Sequence, residues 1–178
     1  MNRNIEIKAR VSDRIKLSRL AGEISSSPAV ILIQKDIYYN IKSGRLKLRI
    51  INDEKAELIF YTRENIKGPK YSTYSIYETK NHEGLDLILG PALGRIGIVE
   101  KTRKLYMLGQ TRIHLDDVKN LGFFVELEVV LRENQNNQEG IEIAGSIMNR
   151  LGILNNQLLE LSYIDLIVSN NETQKSKN

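Results

Sequence analysis

The sequence predicts an α+β protein, an eight-stranded antiparallel β-barrel with flanking helices. The first observation is that segments of alternating polar and apolar residues, the two-residue period of a strand, recur along the chain. The second is that short turns separate most of these segments. The third is that several polar faces mix acidic and basic residues. Because such faces can meet one another, we expect a charged barrel interior and an outer apolar face covered by helices.

Length and composition indicate one globular domain with an anionic partner. The chain has 178 residues and no linker-like break, and 41% of its residues are hydrophobic and 27% charged. Twenty-six Lys and Arg residues against 22 Asp and Glu residues give a formal charge of +4, which favours phosphate, nucleic acid or a membrane as partner. There is no cysteine, and this excludes disulfides and thiolate metal sites.

The N-terminal residues and the apolar runs give an expected location. The first eleven residues carry four charges and lack the apolar region of a secretory signal. The longest apolar run, residues 29–33, is too short to span a bilayer. We therefore expect a cytoplasmic protein with no membrane partner.

The first half of the chain alternates strand patterns with one helix pattern. Ile5, Ile7 and Ala9 oppose Asn4, Glu6 and Lys8 in the first strand, and an apolar stripe after Ser12, the expected N-cap, predicts the first helix. The later strand segments are rich in β-branched and aromatic residues, or they alternate basic residues with aliphatic ones. The predicted order is a strand at 4–11, a helix at 13–25, and strands at 30–39, 45–50, 56–63 and 71–79.

The second half contains the remaining strands and two further helices. A helix bent or ended around Gly90 and Pro91 is followed by three strands joined by turns at Gly109 and Gly122. Apolar residues at four-residue spacing then predict another helix. The predicted order is a helix at 82–93, strands at 97–108, 111–118 and 123–132, a helix at 139–151, and an apolar segment at 158–168. We expect one domain over residues 1–168 and a polar, disordered tail over residues 169–178.

The polar faces contain the groups of a metal and polyphosphate site. Cations follow one another on two strands, at Arg45, Lys47 and Arg49 and at Lys101 and Arg103, and carboxylates occur at Glu6, Asp116, Glu126 and Glu128. Carboxylates suit Mg²⁺ or Mn²⁺, and Arg and Lys neutralise phosphate. The alternative is that each polar face meets water, as in any half-buried sheet. Glu126 and Glu128 argue against this, because like charges two residues apart repel unless a cation lies between them.

The ordered motifs resemble those of a known family. Residues 4–8 resemble the ExExK signature of the CYTH superfamily, the triphosphate tunnel enzymes, which include class IV adenylyl cyclases, thiamine triphosphatases and inorganic triphosphatases. The resemblance continues through residues 45–49, 101–103, 112–116, 126–128 and 162–166 and covers nearly the whole chain. Residues 4–9 and 109–116 are most similar to class IV adenylyl cyclase-like proteins.

The resemblance implies a barrel-shaped tunnel that binds a triphosphate through basic side chains and a divalent metal through acidic ones. It implies Mg²⁺ or Mn²⁺ ligands at Glu6, Asp116, Glu126 and Glu128. It implies triphosphate contacts from Lys8, Lys47, Arg49, Arg103 and Arg112. Further candidates are Arg10 and Arg45, which share these faces, Arg63, and His114. His114 is interpreted either as a proton shuttle or as a hydrogen-bonded structural histidine.

Two residues depart from the family pattern. Asn4 replaces the first glutamate of ExExK, which weakens one metal position, and Tyr61 stands where many relatives have a lysine, for which Arg63 partly compensates. The leading hypothesis is a phosphohydrolase acting on tripolyphosphate, thiamine triphosphate or ATP. The alternatives are an adenylyl cyclase and a triphosphate-binding module without turnover. Only the basic charge suggests nucleic acid, which we do not expect as partner. A homodimer is possible, because an exposed strand edge or helix could pair two subunits.

Overall fold

The computed structural model describes residues 1–175 and contains a closed barrel of eight antiparallel strands. In order around the ring, the strands are β1, β5, β4, β3, β2, β6, β7 and β8. This arrangement confirms the predicted fold class. The strands are β1 (Asn2–Arg10), β2 (Val30–Tyr39), β3 (Arg45–Ile51), β4 (Lys55–Arg63), β5 (Lys70–Thr79), β6 (Arg95–Leu108), β7 (Thr111–Val118) and β8 (Gly122–Val130).

Four α-helices pack against the outer face and one end of the barrel. They are α1 (Arg14–Ile24), α2 (His82–Leu93), α3 (Asn137–Leu151) and α4 (Tyr163–Lys175), with a short 3₁₀ turn at Asn155–Gln157. Apolar residues of α1 and α3 share one core with β1, β7 and β8, and α2 packs over β2 and β3. The start of α4 joins aromatic residues at the end of the barrel. The helices therefore bury the apolar faces of these strands, and the polar faces point inward.

The first strand shows how the sequence sets this orientation. Ile5, Ile7 and Ala9 are at most 1% exposed and belong to the core shared with α3. Because side chains alternate between the faces of a strand, Asn4, Glu6 and Lys8 point into the barrel. A shift of one residue would bury the charges under α3 and expose the aliphatic groups to the interior, so the apolar core fixes the register.

Helices α1 and α4 differ from the predictions at one end. Asp13, not Ser12, is the N-cap of α1, because its carboxylate accepts the Lys16 N–H at 2.9 Å. Helix α2 has the predicted bounds, 82–93: it continues through Pro91 to Leu93, and Gly94, at φ 77°, ends it. Helix α4 continues to Lys175, so the predicted disordered tail is helical from residue 169 to residue 175, whereas residues 176–178 lie outside the described part.

A local hydrogen-bond pattern begins helix α4. The Asp165 carboxylate accepts the Ser162 N–H at 3.0 Å and the Ser162 hydroxyl at 2.7 Å. Further along, the Ser169 hydroxyl donates to the Asp165 carbonyl at 2.8 Å. A helix nucleated in this way extends into a polar segment that would not form a helix by composition alone.

We retain a single domain over residues 1–168 as a prediction. No helix within residues 1–175 is long and apolar enough to cross a membrane.

Candidate functional site

The barrel encloses a cavity of about 400 Å³ that is lined by side chains from all eight strands and from the start of α4. Eight of the lining side chains are cationic: Lys8, Lys47, Arg49, Lys55, Arg63, Lys101, Arg103 and Arg112. Five are carboxylates: Glu6, Asp36, Glu57, Glu126 and Glu128. The described lining therefore carries an excess of positive charge in a space the size of a small-molecule site, which suits an anionic ligand.

One group in this lining has the composition of a metal site. His114, Glu126 and Glu128 offer ligand atoms that all lie within 4.8 Å of one another. The pairing of β7 with β8 places His114 directly opposite Glu126. His114 Nδ1 lies 3.9 Å from a Glu126 oxygen and 3.8 Å from a Glu128 oxygen. The three side chains therefore converge on one position in the cavity.

The chemistry of these residues fits a divalent ion. His114 Nδ1 is buried and has no hydrogen-bond partner. Burial, and secondarily the charge of Arg103, lowers the pKa of His114 below its usual range, so the imidazole is neutral at neutral pH and has a lone pair to donate. Two carboxylates and one imidazole suit Mn²⁺ well, and the carboxylates alone suit Mg²⁺. The unsatisfied nitrogen is the observation that supports a metal here.

Protein cations keep the two glutamates ionised. Glu126 lies 3.0 Å from the Lys8 ammonium and 2.6 Å from Arg103, and Glu128 lies 2.8 Å from Arg112. Burial alone raises the pKa of Glu126, but Lys8, His114 and Arg103 outweigh burial and hold that pKa well below its usual range. For Glu128, burial is likewise outweighed by the charges of His114, which is protonated in the acidic range where Glu128 titrates, and of Arg112 and Arg103, and together they hold its pKa at about 2. These ion pairs explain how two glutamates share one face of a strand.

A second charge cluster centres on Asp36, which sequence reasoning missed. Asp36 is 1% exposed and accepts two hydrogen bonds from Arg49, at 2.7 and 2.9 Å. It also accepts one from Lys101 at 2.8 Å and one from Lys47 at 3.3 Å. The signal in the sequence was the alternation of Gln34, Asp36 and Tyr38 in β2, but its polar face had not been assigned to the interior.

The two lysines of this cluster titrate close to neutral pH. Burial, and secondarily the charge of Arg49, lowers the pKa of Lys47 to about 8. Burial lowers the pKa of Lys101 to about 7, although Asp36 opposes the shift. At neutral pH the two lysines are therefore only partly protonated, and a bound anion would favour their protonated, charged forms.

The other two predicted metal ligands, Asp116 and Glu6, and two of the candidate phosphate contacts, Arg45 and Arg10, each have a protein partner. Both oxygens of Asp116 accept hydrogen bonds from Arg103, at 2.7 and 2.6 Å, and one accepts the Tyr163 hydroxyl at 2.9 Å. Arg45 pairs with Asp165 at 2.8 Å. Arg10 is exposed and donates to the Leu121 carbonyl. Glu6 lines the cavity and pairs with Arg63 at 3.1 Å. Asp116 is thus placed as the ion-pair partner of Arg103.

Tyr163 lines the cavity and Lys70 binds the segment that precedes α4, and sequence reasoning assigned neither to the site. The Lys8 ammonium lies 3.5 Å from the centre of the Tyr163 ring, a distance at which a cation is attracted to the ring face. Lys70 donates to the carbonyls of Leu159 and Glu160, at 2.6 and 2.9 Å. These contacts hold the segment before α4 against the barrel. The sequence signal for Tyr163 was its place in the family-like segment 162–166.

A closed eight-stranded antiparallel barrel with a charged interior is the architecture of the triphosphate tunnel proteins. The model of the CYTH domain family matches residues 2–163. The chain belongs to the CYTH domain family. This confirms the resemblance inferred from residues 4–8 and the later motifs.

Several relatives share nearly the full length of the chain. It is 24% identical to a "putative adenylate cyclase" of Methanocaldococcus jannaschii, over 91% of this chain and 97% of that protein. A solved structure of the Pyrococcus horikoshii protein PH1012 is 25% identical and covers 92% of this chain and 98% of its own, with a TM-score of 0.80. The fold also matches a Hippeastrum "putative adenylyl cyclase", described as having a dominant triphosphatase activity, at 14% identity and a TM-score of 0.67, over 94% of this chain and 96% of that one.

Proposed function

We propose that the protein is a divalent-metal-dependent enzyme that hydrolyses an inorganic or organic triphosphate bound inside the barrel. The observation that carries the proposal is the combination, in one cavity, of excess positive charge with a group of one buried imidazole and two half-buried, ionised carboxylates. The first property suits a phosphate chain and the second suits a metal ion that bridges phosphate oxygens. The family relationship supports the same class of ligand.

The residues of the cavity have separate roles in this proposal. His114, Glu126 and Glu128 hold the Mg²⁺ or Mn²⁺ ion, with Glu6 as a further ligand candidate. A bound ion supplies polarisation of a phosphoryl oxygen and lowers the pKa of a bound water. Lys8, Lys47, Arg49, Arg103 and Arg112 neutralise the phosphate chain and the charge that develops as a phosphorus–oxygen bond breaks.

Cyclisation of ATP is the second candidate reaction. Five aliphatic side chains line the cavity together with the charged ones: Leu32, Ile51, Ile59, Ile76 and Leu105. They offer a surface to the ring of an organic triphosphate such as ATP or thiamine triphosphate. Hydrolysis remains the first proposal because it requires only the phosphate chain and water, whereas cyclisation also requires an oriented ribose.

A product-resolved assay tests the proposal against cyclisation and against binding without turnover. Purified protein with Mg²⁺ or Mn²⁺ is incubated with tripolyphosphate, thiamine triphosphate and ATP, and the Glu128→Gln variant serves as control. We expect orthophosphate release that requires both the metal and Glu128. Cyclic AMP with pyrophosphate would instead establish a cyclase. Triphosphate binding without any product would support the binding module that the neutral Asn4 suggests.

Proton uptake on binding is a second expected result. In the free protein Lys101 titrates at about 7 and Lys47 at about 8, and a bound anion favours their charged forms and raises both pKa values. Tripolyphosphate binding at about pH 8 is therefore expected to take up protons, and affinity is expected to fall as the pH rises further. Calorimetry in two buffers of different ionisation enthalpy measures the uptake. Identical binding enthalpies in both buffers would contradict it.

A further inference from the structure

Arg63 differs from the other arginines of the cavity in its hydrogen bonding. Arg49 and Arg103 each direct Nε and Nη2 at an aspartate, and Arg112 uses the same two atoms on Glu128 and Tyr74. Arg63 donates from Nη1 to Glu6 at 3.1 Å, while its Nε and Nη2 are buried and without a partner. Of the four arginines in the described cavity lining, Arg63 alone therefore presents an open two-nitrogen edge.

The neighbours of this open edge are also buried and unsatisfied. Ser72 lies directly opposite Arg63 in the pairing of β4 with β5, and Asn4 lies opposite Ser72 in the pairing of β5 with β1. The exposed fraction is 1% for Ser72, 2% for Asn4 and 5% for the Arg63 side chain. Ser72 Oγ and Asn4 Oδ1 have no hydrogen-bond partner, and all three side chains line the cavity.

The charge of this region selects an anion. The Nε–Nη2 edge of a guanidinium matches two oxygens of a phosphoryl group, and the Ser72 hydroxyl adds a donor. Asn4 adds another donor when its amide is turned so that Nδ2 takes the place of the unpartnered Oδ1. Glu6, the carboxylate that contacts Arg63, is already held by Arg63 Nη1. Asn4 is neutral at a position where the family signature has a glutamate, so no second carboxylate competes for the open edge. A buried guanidinium edge without a partner is costly, and a bound phosphoryl group removes this cost.

We propose that Arg63, Ser72 and Asn4 form a phosphoryl-binding subsite that holds one end of the triphosphate chain without help from a metal ion. This inference rests on the proposed function, because it takes a triphosphate as the ligand. The subsite lies on β1, β4 and β5, whereas the His114, Glu126 and Glu128 group lies on β7 and β8. Asn4 accordingly has an anion-binding role in this chain and is not a weakened metal ligand.

Calorimetry with tripolyphosphate, in EDTA and again with Mn²⁺, tests the subsite. Arg63→Lys retains the charge beside Glu6 but loses the two-nitrogen edge, and we expect about tenfold weaker binding in both conditions. Ser72→Ala is expected to weaken binding about threefold to tenfold in both conditions. The same Ser72→Ala variant is expected to unfold at the same or a higher denaturant concentration than the wild type, because it removes a buried hydroxyl that has no partner.

Thr111→Val is the matched control, since Thr111 also has a buried hydroxyl without a partner but does not line the cavity. Its affinity for tripolyphosphate is expected to equal that of the wild type. Unchanged affinity in both Arg63→Lys and Ser72→Ala would overturn the subsite and would mean that water alone satisfies these groups. Weakening seen only with Mn²⁺ would overturn its independence of metal. Wild-type binding with no turnover would contradict the proposed hydrolysis and leave the subsite standing, so the two failures are distinguishable.

Discussion

Replacing Glu126 with glutamine is expected to reduce metal-dependent turnover about 100-fold or more and to lower the free energy of unfolding by about 3 kcal/mol. Glu126 is one of the three residues that converge on the candidate metal position. It also neutralises Lys8 and Arg103, which are buried. Glutamine preserves the size of the side chain, so both effects follow from the loss of charge. Breaking one side of a buried ion pair leaves the partner charges uncompensated.

Activity with Mn²⁺ titrated from zero, and urea unfolding of the same preparations, measure the two effects. Glu142→Gln makes the same chemical change on the exposed face of α3 and is expected to leave both quantities unchanged. If Glu126→Gln kept the metal dependence of the wild type, the assignment of Glu126 as a metal ligand would be contradicted.

Replacing Asp36 with asparagine is expected to have the largest effect on stability, a loss of about 3 to 5 kcal/mol at neutral pH. Asp36 is the common partner of Arg49, Lys101 and Lys47. Without its charge, Arg49 and the two lysines face one another with no anion between them, and the pKa values of the lysines fall further because Asp36 no longer raises them. An asparagine of the same shape can still accept hydrogen bonds, so the expected loss is mainly electrostatic.

The dependence of this effect on pH has a definite sign. Burial raises the pKa of Asp36, but Arg49, Lys101 and Lys47 outweigh burial and hold the pKa well below its usual range. A group whose pKa is lower in the folded state stabilises above its unfolded pKa, about 3.9 for aspartate, and this contribution disappears as the pH falls through the folded pKa.

Unfolding of wild type and Asp36→Asn, compared at about pH 7 and about pH 3, tests the sign. The free energy of unfolding of the wild type is expected to exceed that of Asp36→Asn by the whole amount given above at the higher pH, and by less at the lower pH. Asp117→Asn, an exposed aspartate of β7, serves as control and is expected to show no difference at either pH. A difference that grows as the pH falls would contradict the assigned ion pairs.

The strands were predictable because each carries its own signal. The alternation of residues 4–11 and 45–50 is local, and a strand that must bury Ile5 and Ile7 has one choice of face. The charged interior followed from the same pattern. The sequence alone therefore predicted the barrel and most of the cationic residues that line its cavity.

Pairing between charges was not predictable, because it depends on which strands meet. Asp36 neutralises Lys101 from a strand 65 residues away. Asp116 accepts two hydrogen bonds from Arg103, and His114, not Asp116, converges with the two glutamates. The open edge of Arg63 is likewise a property of its neighbours. The sequence shows the type of each side chain and the strand face on which it lies. Which cations pair with a carboxylate of the barrel and which stay open to a ligand depends on the register of strand pairing around the closed barrel.

A crystal structure with Mn²⁺ and a non-hydrolysable, methylene-bridged triphosphate tests the central claim most directly. We expect an anomalous manganese peak in contact with His114, Glu126 and Glu128, with the phosphate chain inside the barrel and one phosphoryl group on the open edge of Arg63. Metal and phosphate density outside the barrel, with the cavity side chains still in their internal ion pairs, would contradict the account.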